Sequence, residues 1–301
     1  MKGFNMDITN SSDNDLLNEI NRRFKEKEES LAEMEFLTKK LLKLNEQAQE
    51  AEAVKSQFLS LIKNEFNNPL SVLLDFAKNL QEKRFPDRVD EMTIMMRSEL
   101  QRMDFMLKNI FATTEIEAGE IANDFTKIAV IDLLQEIIDS LHYVISDKEL
   151  TIDIQIPDDF HFICDRQKLF LILLNLLSNA CEFSYPQKHP NIVMRVEAEN
   201  IVILVEDFGE GIKTDSHKKV YNRFAQFHKG ETRAVSGLGL GLSVVREYVS
   251  TLNGEIAFKS ESGHTTFSVT VPNIDESDIE GGVGMDDLFF DDFGDDDMID
   301  M

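Results

Sequence analysis

No glycine or proline occurs between Phe4 and Asn68, and that absence constrains the fold of this 301-residue chain more than any other feature. Apolar residues at Leu17, Ile20, Phe24, Leu31, Met34, Leu37, Leu41, Leu44, Ala48, Ala51 and Val54 follow alternating steps of three and four, with one break near Met34. This is the seam of a coiled coil carrying a stammer. Ser12 or Asp13 is placed to cap the helix. A second stripe follows at Phe58, Leu61, Ile62, Phe66, Leu70, Leu73, Leu74 and Ala77, so the two stretches read as one continuous rod that can pass on rotation or register. The plainer reading is a helix that only dimerises. Pro69 falls inside the second stripe, where it deletes a backbone hydrogen bond, and a kink is expected just after Asn68.

The segment KRFPDR breaks the helix, and apolar positions at Val89, Met92, Met96, Leu100, Met103, Leu107, Ile110 and Ile116 mark a second amphipathic helix. Two antiparallel helices cannot bury such seams alone, so a four-helix bundle made by two chains is expected. Beyond Phe125 the pattern changes. IDLLQEIIDSLHYVISDK reads as helix, while LTIDIQIP, NIVMRVEAE, IVILVEDF, EIAFKSE and TTFSVTVP read as strands. The fold class is therefore α+β: a coiled coil and helical hairpin, then an α/β sandwich. The expected domains are 1–50 (tail and coiled coil), 51–122 (hairpin), 123–273 (sandwich) and 274–301 (acidic tail).

The net charge of −25 excludes non-specific attraction to nucleic acid or anionic membrane, which needs clustered positive charge. Twelve acidic residues and no Lys or Arg lie from Asp275 to Met301, leaving −13 for the rest. That tail cannot fold by itself, but its acids surround Leu288, Phe289, Phe290 and Phe293, a pattern that suits either a docking motif or a solubilising tail. Cys164 and Cys181 sit in apolar runs, as structural thiols of a reducing compartment do. No run approaches the length needed to span a bilayer, and the reading is cytoplasmic.

Chemistry concentrates in five segments. In LFLILLNLLSNACEFS, Asn175 and Asn179 stand four apart on one helix face, where amide oxygens suit Mg²⁺; alone, the pair reads rather as two asparagines capping or solvating a helix. In VEDFGEGI, Asp207 ends a strand, and Gly209 and Gly211 let backbone turn close around a ligand. VYNRFAQF supplies Phe224 and Phe227, for which packing is the default. SGLGLGL places Gly237, Gly239 and Gly241 at a helix start, a backbone cradle for phosphate. Lys229 and Arg233 precede it, as phosphate-closing charges or as solvated ones. The fifth is FLSLIKNEFNNPLSVLL, from Phe58.

Together these segments resemble the core of sensor histidine kinases, and EIEAGEI at Glu115–Ile121 resembles the family's segment between hairpin and ATP domain. The resemblance, which covers Ala51 to Pro272, implies a Bergerat-type ATP-binding domain with ATP and Mg²⁺ as ligands. It makes Asn179 the metal ligand with Asn175 alongside, and Asp207 the partner of the adenine amine. Two departures stand out. Where the family carries the phospho-acceptor histidine, this chain has Asn64, whose amide nitrogen has no free lone pair, so autophosphorylation is expected to be absent. Where the family has a basic, phosphate-facing residue, this chain has Glu182. Glu65 and Asn68 remain on the acceptor helix, and the family's residue at the latter position helps place water for dephosphorylating a response regulator. The expected protein is a homodimeric pseudokinase of a two-component system, binding ATP and acting on a receiver domain or a partner histidine kinase. Two other readings stay open: an active kinase that phosphorylates a partner or carries an introduced change at Asn64, and a scaffold with a relic ATP site.

Overall fold

A computed structural model describes residues 13–119, 121–225 and 237–274. The chain divides into two compact units, 1–61 and 62–301. Helix α1 (Asp13–Gln81) spans the division and continues through Pro69.

In the first unit the apolar stripe is left uncovered by the described residues: Leu17, Phe24, Met34 and Leu41 are 56–66 % exposed. Arg22 bridges Glu19 and Glu26, and Arg23 adds a second contact to Glu19, surface pairs that solvent and salt screen and that support the helix only weakly.

In the second unit α1 ends at Gln81, a 3₁₀ turn at Pro86–Arg88 follows, and α2 runs Val89–Ala118. Gly119 adopts the left-handed conformation at φ 71° that commonly stops a helix. The apolar stripe expected on α2 is only partly covered: Met92 is buried, while Leu100 is 55 % exposed. A different face is buried instead, made by Asn109, Ala112 and Thr113. That face lies against the sandwich, not against the bundle seam.

The sandwich holds β1 (Phe125–Ala129), α3 (Val130–Ser140), α4 (His142–Asp147), β2 (Asp153–Gln155), β3 (His161–Asp165), α5 (Arg166–Phe183), β4 (Asn191–Glu197), β5 (Asn200–Asp207), α6 (Gly241–Thr251), β6 (Glu255–Glu261) and β7 (His264–Pro272). Five strands form one sheet in the order β2-β4-β5-β7-β6, antiparallel except for the β2–β4 pair. The expected α/β sandwich is this sheet with α5 across it and α3 and α6 beside α5. Buried and part-exposed residues alternate along β7, as a sheet with one covered face requires. Sequence reading gave one helix over 131–148; the structure breaks it at Leu141, whose backbone leaves the helical region. It also missed β1 and β3, which form a separate antiparallel pair.

Helix α5 is apolar on nearly every side and is the centre of the core, with Ile172, Leu173 and Leu177 fully buried. Its start is fixed by a buried ion pair. Asp165 accepts the Lys168 backbone N–H at 2.9 Å, and the Lys168 ammonium lies 2.6 Å from its carboxylate. Lys168 also donates to the Ala122 carbonyl at 2.5 Å, tying the segment after α2 to the first turn of α5. Burial pushes the Asp165 carboxyl up, but the Lys168 contact and two backbone donors outweigh it and hold the pKa below the usual carboxylate value.

Candidate nucleotide site

A cavity of about 1030 Å³ opens between α5, the end of β5, the loop before α6 and one face of α2. It gathers Asn175, Asn179, Asp207, Gly211, Gly237, Gly239 and Gly241, residues separated by up to 66 positions in sequence, on one surface.

The two asparagines divide their roles. Asn175 is buried, and both donors of its amide are used, one to the Leu171 carbonyl at 2.8 Å and one to the Asn109 side-chain oxygen at 2.9 Å. Its own oxygen packs against Gly241, where any Cβ would overlap it. That contact, rather than backbone freedom, requires glycine at the first residue of α6. Asn179, one turn on, is half-buried at the cavity wall. An amide oxygen at this place is of the kind that suits a hard cation such as Mg²⁺.

Asp207 ends β5, as the alternation predicts. Burial raises its pKa to about 6, although the Gly209 N–H at 3.2 Å, the charge of His264 and the Thr265 hydroxyl all favour the carboxylate. At neutral pH it stays an acceptor in a dry wall, the state that pairs with an exocyclic amine. Gly211 sits at φ +80° with no room for a Cβ beside the Glu261 carbonyl. Gly209 does not line the cavity; it packs against the Phe183 carbonyl.

The loop before α6 is held from behind. Phe224, at φ 64°, donates its backbone N–H to the Gly239 carbonyl at 2.8 Å, so its part is to fix the glycine loop and not simply to fill a core. Phe227, Lys229 and Arg233 lie outside the described residues, as does the acidic tail.

Glu182 lines the cavity one turn beyond Asn179, and its pKa is raised to about 7. Burial is the main cause, Glu65 of α1 adds like-charge repulsion, and Arg102 and Lys148 oppose it. Asn64 and Asn68 are exposed on α1 and Glu65 is half-buried. Cys164 and Cys181 are free, buried thiols with pKa raised to about 12 by desolvation, inert as expected. No helix among the described residues is long and apolar enough to cross a membrane.

Sequence reading missed the contribution of α2. Arg102, Phe105, Met106 and Asn109 line the cavity opposite α5. Nearby, Glu115 accepts from the Tyr248 hydroxyl at 3.2 Å, Glu117 pairs with Arg223, and the Lys108 ammonium lies 5.2 Å from the Phe170 ring centre. No local motif marks these residues; their spacing belongs to an ordinary helix.

Residues 164–275 match the family of histidine kinase-, DNA gyrase B-, and HSP90-like ATPases. The sensor-like histidine kinase SenX3 of Mycolicibacterium smegmatis is 28% identical over 224 residues, 73% of this chain and 58% of that protein. The autoinducer 2 sensor kinase/phosphatase LuxQ of Vibrio parahaemolyticus is 26% identical over 234 residues, 75% of this chain and 27% of that protein. The crystal structure of full-length ShkA in complex with AMPPNP shares the fold at a TM-score of 0.50 and 19% identity, covering 72% of this chain and 46% of that one. The matched segment and these relatives together support a core similar to that of sensor histidine kinases. It spans little more than half the length of SenX3 and about a quarter of LuxQ.

Proposed function

We propose that this protein is a two-component signalling regulator. In this reading a cytoplasmic homodimer binds ATP with Mg²⁺ and controls a response-regulator receiver domain or a partner histidine kinase, without being phosphorylated on its own helix. The observation that carries it is the pairing of an assembled nucleotide cavity with an amide at residue 64. The cavity offers a carboxylate for an amine, an amide oxygen for a hard cation and a glycine loop before a helix start. Asn64 offers no nucleophile, because its nitrogen lone pair is delocalised into the carbonyl.

ATP is then an allosteric ligand, effective to the extent that it binds two conformations differently. Glu65 and Asn68 give the proposed regulator a hydrolytic output, since an amide can orient attacking water and phosphoryl transfer depends chiefly on positioning. A likeness to LuxQ, named a sensor kinase/phosphatase, supports that output. One observation favours a second reading, a scaffold with a relic site: Glu182 sets a carboxylate on the cavity wall.

The deciding experiment is transfer of labelled γ-phosphate from ATP to the protein and to an Asn64→His variant. Acid-labile label on the variant alone is expected. Label on the unaltered chain overturns the reading, and label on neither favours the scaffold.

A further inference from the structure

Two helices face each other across the cavity, running in opposite directions. Asn109 of α2 meets Asn175 of α5 through the 2.9 Å amide bond. Seven residues back along α2 is Arg102, and seven residues on along α5 is Glu182; the charge of Arg102 acts on that carboxylate. Seven residues are two turns, roughly 10 Å of helix, so each rung falls on the same face of its helix as the other. Met106 and Asn179 line the space between the rungs.

The first rung marks the end of the cavity that attracts anions. Asn175 packs on Gly241, the first residue of α6, and the glycine loop before it turns toward the same cavity. Helix starts of this kind favour negative charge. A phosphate chain reaching from there to the second rung would meet the Glu182 carboxylate on the cavity wall.

Three cations line the cavity among the described residues: Arg102, Lys148 and Lys213. Lys148 gives its ammonium to the carbonyls of Cys181, Glu182 and Ser184, capping α5, which uses the three donors it has. Lys213 belongs to the loop beyond Gly211, which continues from Asp207. Arg102 is half-buried and gives one long bond, 3.4 Å, to Glu99, out of five donors on a planar group suited to phosphate oxygens.

We infer that α2 supplies a phosphate-binding cation of the nucleotide site: Arg102 offsets Glu182 and contacts the outer phosphates of a nucleoside triphosphate, so the site is complete only with the helical hairpin in place. The inference rests on the proposed ATP reading. It places the charge that the wall of α5 lacks on a helix outside the matched ATPase segment, so that a movement of α2 changes affinity for phosphate while leaving the adenine end intact.

Calorimetric titration of the full chain with AMPPNP–Mg²⁺ and, separately, with adenosine tests it. The unaltered chain is expected to bind both. Arg102→Gln should weaken AMPPNP–Mg²⁺ by about tenfold or more while adenosine stays within about twofold, and Arg102→Lys should recover most of the loss. Unchanged AMPPNP–Mg²⁺ affinity in Arg102→Gln overturns the inference and leaves ATP binding standing. Equal loss of adenosine also overturns it, because Arg102 would then support the fold and not the phosphates. If the unaltered chain binds neither ligand, the ATP reading falls and this inference with it.

Discussion

The first half of α1 and helix α5 are both rich in leucine, and they end in opposite situations. Leu41 is 66 % exposed, whereas Leu177 is wholly buried. The difference lies in how apolar residues are spaced and in what the chain itself supplies to cover them. Steps of three and four make a narrow stripe, which a single helix cannot bury and a second helix can. The continuous run LFLILLNLLSNA makes a helix apolar all round, which only a surrounding sheet and flanking helices can cover. One region leaves its stripe open to solvent, and the other is enclosed by the chain's own core.

The sharpest way to break the second situation is at its polar anchor. Lys168→Met leaves Asp165 buried without its counter-charge, and urea unfolding of the ATPase domain is expected to lose about 4 kcal/mol. The contrast itself is tested by truncating one leucine on each side. Leu177→Ala should cost about 3 kcal/mol through lost contacts and a cavity. Leu41→Ala in dilute, monomeric protein should cost less than about 0.5 kcal/mol. At concentrations where the proposed dimer forms, sedimentation should instead show the same change weakening association. If Leu41→Ala alters neither stability nor association, the seam is not a pairing surface.

A pH-dependent effect sharpens the boundary between core and site. The pKa of Glu182 is raised from 4.5 to about 7, so between those values the folded chain keeps a proton that the unfolded chain has lost. Stability from this group is therefore greatest at the acidic side of the window and falls as pH rises through it. Glu182→Gln removes the cost of the buried charge. Its Tm should match that of the unaltered chain near pH 4.5 and exceed it by roughly 7 °C at pH 8. A constant difference across that range would show that Glu182 ionises as freely as it does in water.

Much of this site was legible before any coordinates. Asn175, Asn179, Asp207 and the glycines at 211, 237, 239 and 241 were found because each motif is local: a helix spacing, a strand end, a turn before a helix. The reasons for some of them were not. Gly241 is required by the Asn175 side chain across the cavity, and Gly209 packs on Phe183 rather than lining the site. Phe224 was assigned to packing by default, yet its backbone holds the glycine loop. β1 and β3 escaped because two five-residue strands paired with each other leave no long alternation to read.

By itself, the sequence determined the class of most elements, the order of the motifs and the absence of a nucleophile at residue 64, because periodicity, turn chemistry and side-chain identity act over a few neighbouring residues. The tertiary structure decided which face of α2 is buried and which residues share the cavity. Asn109 meets Asn175 across 66 positions, and Arg102 faces Glu182 across 80. Such contacts depend on how helices dock, and docking is settled by the summed shape and charge of whole surfaces, which no local spacing encodes.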